Sequence, residues 1–211
     1  MSSPYLIDGP SDARVSFLFA HGAGAGMDHD FMTAVAQGLA LNGIEVIRFN
    51  FPYMVQRAID GKRRPPDRQP KLLADFHQHI EHFSNRKLVV GGKSMGGRMA
   101  SLICDDVNVL GLACLGFPFH PPKKPEKFRG EHLATIKTPT LILQGDRDTF
   151  GNKEAVSRFD LSSAVSVEYL ADGDHSFHPR KSSGYTDQQH LISIIDSLST
   201  FILQQVGDNR E

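Results

Sequence analysis

The stretch "VVGGKSMGG", Val89 to Gly97, admits two chemistries. Read through Gly92, Lys93 and Ser94 it looks like the end of a phosphate loop. Read from Gly92 to Gly96 it is GxSxG, the pattern that sets a serine on a sharp strand-to-helix turn. A phosphate loop, GxxxxGK[ST], would need its first glycine at position 87, which is Lys87, inside an apolar run that reads as a strand. The connection is then too short to wrap a phosphate in backbone N–H groups. The elbow pattern is met, because Gly92 and Gly96 remove the Cβ atoms that would hold the helix away from the strand, and Gly97 eases the helix start.

A serine hydroxyl is a weak nucleophile near neutral pH and needs a base, itself held by a carboxylate. "LILQGDRDTFG" (141–151) offers Asp146 and Asp148, two positions apart, so strand alternation does not separate them. "EYLADGDHSFH" (168–178) offers His175, with His178, constrained by Pro179, as the rival base. Asp172 and Asp174 flank Gly173 and read as turn residues. A developing oxyanion needs donors, and "HGAGAGMDH" (21–29) places small residues whose N–H groups can come close to it. The expected donors are the amide of Met95 and that of Ala23 or Gly24. Gly22, Gly24 and Gly26 alternate and do not follow GxGxxG, and His21 is expected to hold the loop rather than react.

The elements that must position these residues follow from hydrophobic pattern. "VSFLFA" (15–20), "IEVIRF" (44–49), "KLVVGG" (87–92), "VLGLACLGF" (109–117), "TLILQG" (140–145) and "VSVEYL" (165–170) are mostly too continuously apolar for a sheet with one wet face. Between them lie helical patterns at 30–43, 72–83, 96–106 and about 186–206. Strand and helix alternate, which predicts an α/β fold with a mostly parallel sheet of about six or seven strands, helices on both faces and no large cap domain. The whole chain, 1–211, reads as one domain.

Two stretches rich in proline and basic residues break the alternation. One, 52–71, carries Lys62, Arg63, Arg64 and Arg68; the other, 118–137, carries His120, Lys123, Lys124, Lys127 and Arg129. Both follow strands, so both are expected at the rim of any site at the C-terminal sheet edge. Lys93 and His120 are the expected substrate contacts. For Lys93 the alternatives are guiding an anionic substrate and reaching solvent, the latter slightly favoured. For the loops they are plain solvation, which is favoured, and selection of a substrate bearing a carboxylate or phosphate. Of the trio His77, His79 and His82, His77 and His79 are two apart and point to different helix faces, so a solvated face is expected there and no metal site.

With 211 residues, 40% apolar and 22% charged, the composition is that of an ordinary globular chain. A net charge of −1 gives no pull toward nucleic acid or an anionic membrane. Cys104 and Cys114 fit neither a redox nor a zinc spacing and are expected as buried thiols. "MSSPYLIDGP" has no basic patch followed by an apolar stretch, and no run reaches the roughly 18 apolar residues of a membrane span. A cytoplasmic location is the expectation.

From "FLFAHGAGAG" through "GGKSMGG" and "LILQGDRD" to "DGDHSF", the chain resembles the α/β-hydrolase superfamily over nearly its full length. More narrowly it resembles the small capless dienelactone-hydrolase-like proteins, and among them the group containing bacterial hypothetical hydrolases and the eukaryotic NSL-complex subunit 3 and testis-expressed relatives. In that superfamily the acid usually ends a GxxD, here Gly145-Asp146-Arg147-Asp148, and this selects Asp148. The resemblance implies a serine hydrolase in which Ser94, His175 and Asp148 cleave a small ester, thioester or related acyl substrate through an acyl-enzyme, with no metal or organic cofactor. A catalytically silent binding or scaffold protein on the same fold is the alternative. Two departures stand out. The antiparallel strands that often open the fold must be missing or reduced to "YLID", and Ser94 stands where dienelactone hydrolases carry cysteine.

Overall fold

A computed structural model describes residues 4–207. The single domain expected over 1–211 extends past it, and residues 1–3 and 208–211 lie outside the described residues. Seven strands, β1 (Tyr5–Asp8), β2 (Ser16–Ala20), β3 (Glu45–Phe49), β4 (Leu88–Lys93), β5 (Gly111–Leu115), β6 (Thr140–Gly145) and β7 (Val165–Leu170), form one sheet in the order β1-β3-β2-β4-β5-β6-β7. Only β1 runs antiparallel; the other pairings are parallel. "YLID" is therefore a real strand, paired with β3 from Tyr5↔Phe49 to Asp8↔Val46. β2, β3, β5 and β6 are buried at every position, as their continuous apolar runs predict, whereas the edge strand β7 alternates and leaves Ser166 and Glu168 exposed.

Strand residues of opposite parity feed two cores. Leu18, Val90, Leu112, Cys114 and Ile142 pack on one face of the sheet, which is covered by α2 (Pro52–Asp60), α3 (Gln69–His82), α4 (Met95–Ser101) and the short α5 (Lys153–Val156). Phe17, Phe19, Val89, Leu115 and Leu143 pack on the other, under α1 (Asp30–Leu41) and α6 (Asp187–Gln204). Each fully buried Phe or Leu contributes roughly 1.5–3 kcal/mol of transfer free energy. Both cysteines are buried and free.

Two expectations about irregular stretches are corrected here. Residues 52–60 form α2, because Pro52 starts the helix without needing an N–H acceptor and Gly61, at φ +68°, ends it with its amide on the Arg57 carbonyl. α3 begins at Gln69, earlier than its apolar pattern, since polar first-turn residues carry no burial signal. His79 does not lie on a solvated face. Its ring is 4.0 Å from that of Phe49, and its Nδ1 is 3.0 Å from the Tyr5 hydroxyl.

The chain leaves β2 for β3 on one side and returns to β4 on the other. The sheet order thus reverses between β2 and β4, whose register pairs Ala20 with Gly92. At such a switch point the loops beyond two adjacent strands separate to opposite faces and open a crevice. Here those loops are "HGAGAG" and the serine turn.

Candidate active site

The serine turn is built as its glycines require. Ser94 adopts φ +50° and ψ −114°, a strained conformation for a residue with a Cβ, costing of order 1–3 kcal/mol. It is fixed from both sides: its amide donates to the Leu115 carbonyl of β5 at 2.9 Å, and its carbonyl accepts from the Arg98 amide of α4 at 3.0 Å. A Cβ on Gly96 would lie 2.6 Å from the Ala20 and His21 carbonyl oxygens. One on Gly92 would lie 2.5 Å from the Ala20 carbonyl oxygen. Both contacts are with backbone, which has nowhere to move, so α4 reaches this close to β4 and β2 only without those side chains.

Two loops bring the partners. His175, in the connection after β7, places Nε2 at 2.9 Å from Ser94 Oγ and Nδ1 at 2.7 Å from Asp148 Oδ2. Asp148, in the turn after β6, is 1% exposed and also receives the Phe150 amide at 2.7 Å and Gln144 Nε2 at 2.8 Å. An ionised carboxylate is acceptor-only, so three converging donors match the charged form. Asp146 does not join this network: its amide donates to the Leu170 carbonyl, and the residue lines a separate surface hollow with Arg147 and Arg180. His178 pairs with Asp187 at the surface, 2.8 Å away, and does not approach Ser94 in this network. Asp174 accepts the Ser176 and His178 amides, forming the turn that presents His175, and Asp172 binds Arg147 and Arg180.

Gln144 is a site residue that the motifs do not reveal. Its Oε1 accepts the Phe117 amide at 2.8 Å while its Nε2 reaches Asp148 and the Gly151 carbonyl, so it ties β5 and β6 to the acid turn. The only hint in the sequence is a lone amide in the otherwise apolar run "TLIL".

The "HGAGAG" loop is clamped by its own histidine and by α2. His21 Nδ1 lies 2.6 Å from the Gly22 carbonyl, and Nε2 accepts the Phe51 amide at 3.1 Å, which together place the proton on Nδ1. The Tyr53 hydroxyl lies 3.3 Å from the Gly22 carbonyl and 3.0 Å from that of Ala23, and Arg57 donates to the Gly24 carbonyl. In a planar trans peptide the N–H points opposite to the preceding C=O, so these contacts turn the Ala23, Gly24 and Ala25 amides away from α2. Ala23 and Gly24 line the same cavity as Ser94 and His175. Met95, next after the serine, starts α4, where amides have no acceptor within the helix.

Burial lowers the His21 pKa from 6.5 to about 4, so the clamp works with a neutral imidazole. As pH falls from 6.5 toward 4, the unfolded chain takes up a proton that folded His21 refuses, and stability falls across that window. Urea unfolding at pH 7 and pH 5 should show a larger loss in wild type than in His21→Gln, which has nothing to titrate there; equal losses would contradict the neutral clamp.

The cavity beside Ser94 has a volume of about 740 Å³ and is walled by α1, α6 and the loop that carries His175. Neither basic stretch reaches it, contrary to the rim expectation. Residues 61–68 and 118–137 are absent from its lining because they pack beside the opposite face: Arg64 pairs with Asp60 of α2, and the Arg129 carbonyl accepts from Arg98 of α4. His120 is likewise no cavity contact. It is 6% exposed, with Nδ1 at 2.9 Å from the Pro121 carbonyl and its amide on the Phe150 carbonyl, and it supports the acid turn from behind.

Lys93 lines the cavity half-buried, and its ammonium turns onto a carbonyl instead of standing free in solvent, as the sequence slightly favoured. Its ammonium donates to the His175 carbonyl at 2.6 Å, and burial lowers its pKa to about 8. The loop after β7 comes back over the ends of β6 and β5, so that its His175 carbonyl meets the Lys93 side chain at the end of β4. Among the described residues, no three His, Cys, Asp or Glu side chains are grouped to hold a metal ion, and no helix is long and apolar enough to cross a membrane.

Residues 13–203 match the family described as alpha/beta hydrolase domain. Solved structures share the fold at low identity. A lidless α/β serine hydrolase from Xanthomonas campestris is 20% identical, with a TM-score of 0.70 over 94% of this chain and 87% of that one. An α/β serine hydrolase homologue from Coxiella burnetii is 22% identical, with a TM-score of 0.67 over 93% and 89%. Dienelactone hydrolase from Anabaena variabilis is 20% identical, with a TM-score of 0.70 over 94% and 90%.

Proposed function

The chain belongs to the α/β-hydrolase family, and we propose that it is a serine hydrolase cleaving ester, thioester or related acyl substrates through an acyl-enzyme. The observation that carries this reading is the unbroken relay from Ser94 Oγ through the His175 ring to buried Asp148, opening on a cavity. With the Nδ1 proton on the Asp148 side, the Nε2 lone pair faces the serine hydroxyl. Ser94 attacks the acyl carbonyl as His175 takes its proton, and Asp148 stabilises the imidazolium without itself being protonated. The Met95 amide and that of Ala23 or Gly24 receive the oxyanion; each such donor is worth roughly 3 kcal/mol in the transition state. His175 then protonates the leaving group and, in the second half-reaction, activates the water that releases the acid. The residues of this chain supply nucleophile, base and oxyanion donors, so every step is met by a side chain or amide described above.

A fluorophosphonate probe tests the reading, because phosphonylation needs the same activated serine. Wild type should label at one site and Ser94→Ala should not; undiminished labelling of the variant would overturn the assignment.

A further inference from the structure

The reading above leaves the substrate open, and the cavity that adjoins Ser94 narrows it; this step rests on the serine hydrolase reading. The walls are apolar. Phe31 and Met32 come from α1, Leu191 and Ile194 from α6, and Phe177 from the loop that carries His175. Phe31 and Phe177 stack with ring centroids 5.9 Å apart, and Phe177 holds φ +68° while its carbonyl accepts from His190 Nδ1 at 2.6 Å. These side chains extend the apolar core between α1, α6 and the sheet out to the serine, so a hydrocarbon group lodged there leaves water for a continuous apolar wall.

Charge in the cavity points the same way. The charged side chains that line it are Asp30 and Asp187 toward solvent and Lys93 within. Lys93 is already engaged, its ammonium on the His175 carbonyl and 5.3 Å from the centre of the Phe177 ring. His178 and Asp187 pair with each other. The arginines and lysines of 61–68 and 118–137 are absent from the lining. A carboxylate or phosphate on the substrate would therefore meet two acidic residues and no free cation.

We propose that the site selects neutral substrates whose apolar group, several carbons long, lodges between α1 and α6, and that it discriminates against substrates bearing a distal anionic group. Lys93 acts as a strut for the histidine loop and not as an anion receptor.

Two series of esters test this with wild-type protein at low ionic strength: p-nitrophenyl esters of straight-chain acids from acetate to octanoate, and acetate esters of alcohols of matching length. Each methylene buried is worth about fourfold in kcat/KM, so one of the series should rise at least tenfold between two and six carbons. In the series that rises, the six-carbon ester should exceed its analogue ending in a carboxylate by at least tenfold, a gap that narrows with salt and in Asp30→Asn/Asp187→Asn. Leu191→Asp, at a half-buried position, should flatten the chain-length preference chiefly through KM. Flat profiles in both series, or equal kcat/KM for neutral and anionic partners, would overturn the substrate proposal while leaving Ser94 labelling intact. Loss of labelling in wild type would instead overturn the serine hydrolase reading, and this proposal with it.

Discussion

His175→Ala is expected to lower kcat for an activated ester by about a millionfold, as far as Ser94→Ala does, because nucleophile and base act as one unit. Among the described residues His175 Nε2 is the ring nitrogen placed on Ser94 Oγ, at 2.9 Å, and without it the hydroxyl keeps its proton at neutral pH. The double variant Ser94→Ala/His175→Ala should be no worse than either single one, since the two losses remove a single mechanism. The substitution removes a ring that is partly exposed and whose backbone carbonyl, not its side chain, holds Lys93. The fold should therefore survive, with an unfolding free energy within about 1–3 kcal/mol of wild type. Losses that simply added in the double variant would mean that Ser94 and His175 serve separate steps.

Asp148→Asn is expected to lower kcat about ten-thousandfold with little change in KM. The substitution is nearly isosteric, and with its NH2 in the place of Oδ2 the amide oxygen still accepts the Phe150 amide while Gln144 keeps the Phe117 and Gly151 carbonyls, so the turn is kept. What changes is the proton on the imidazole. An amide NH2 facing His175 Nδ1 favours the tautomer with hydrogen on Nε2, which then points a donor at Ser94 Oγ where an acceptor is needed. Titration by ¹⁵N NMR of the His175 ring separates this from a packing defect: the variant should show the proton moved to Nε2. A variant still protonated on Nδ1, with activity within tenfold of wild type, would remove Asp148 from the mechanism.

The sequence is legible wherever chemistry is encoded over a few consecutive residues. GxSxG specifies a strained turn, and the two glycines are needed because the backbone of β2 lies against them. Strands with both faces covered announce themselves as apolar runs, which makes β2 to β6 plain, and β7 shows by its alternation. β1 is short and half-buried, so its run is weak, and only the departure from the family pattern pointed to "YLID". The choice of Asp148 over Asp146 needed the GxxD pattern of relatives. In space the distinction is simple: one carboxylate meets three donors at the end of β6, and the other does not.

What escaped the sequence depends on which face of the sheet a loop crosses. The basic stretches read as rim loops because all loops after parallel strands leave from one edge. The cavity opens toward α1 and α6, however, and those stretches stay with α2 and α4. The neighbours of Lys93 along the chain do not reveal its partner, the His175 carbonyl, which lies beyond β5 and β6 in chain order. Gln144 and Tyr53 support the acid and the oxyanion loop through side chains on elements that read as scaffold. α2 shows how a helix with two buried residues can be structurally minor and still set the direction of the amides opposite Ser94.

The most direct measurement is to quench the protein in acid during turnover of a neutral p-nitrophenyl ester and map the covalently bound acyl group by peptide mass spectrometry. The relay predicts the acyl group on Ser94, at a stoichiometry that rises in His175→Ala/Asp148→Asn backgrounds only if acylation survives there, and its absence from Ser94→Ala. An acyl group on another residue, or turnover undiminished with Ser94 replaced, would contradict the mechanism.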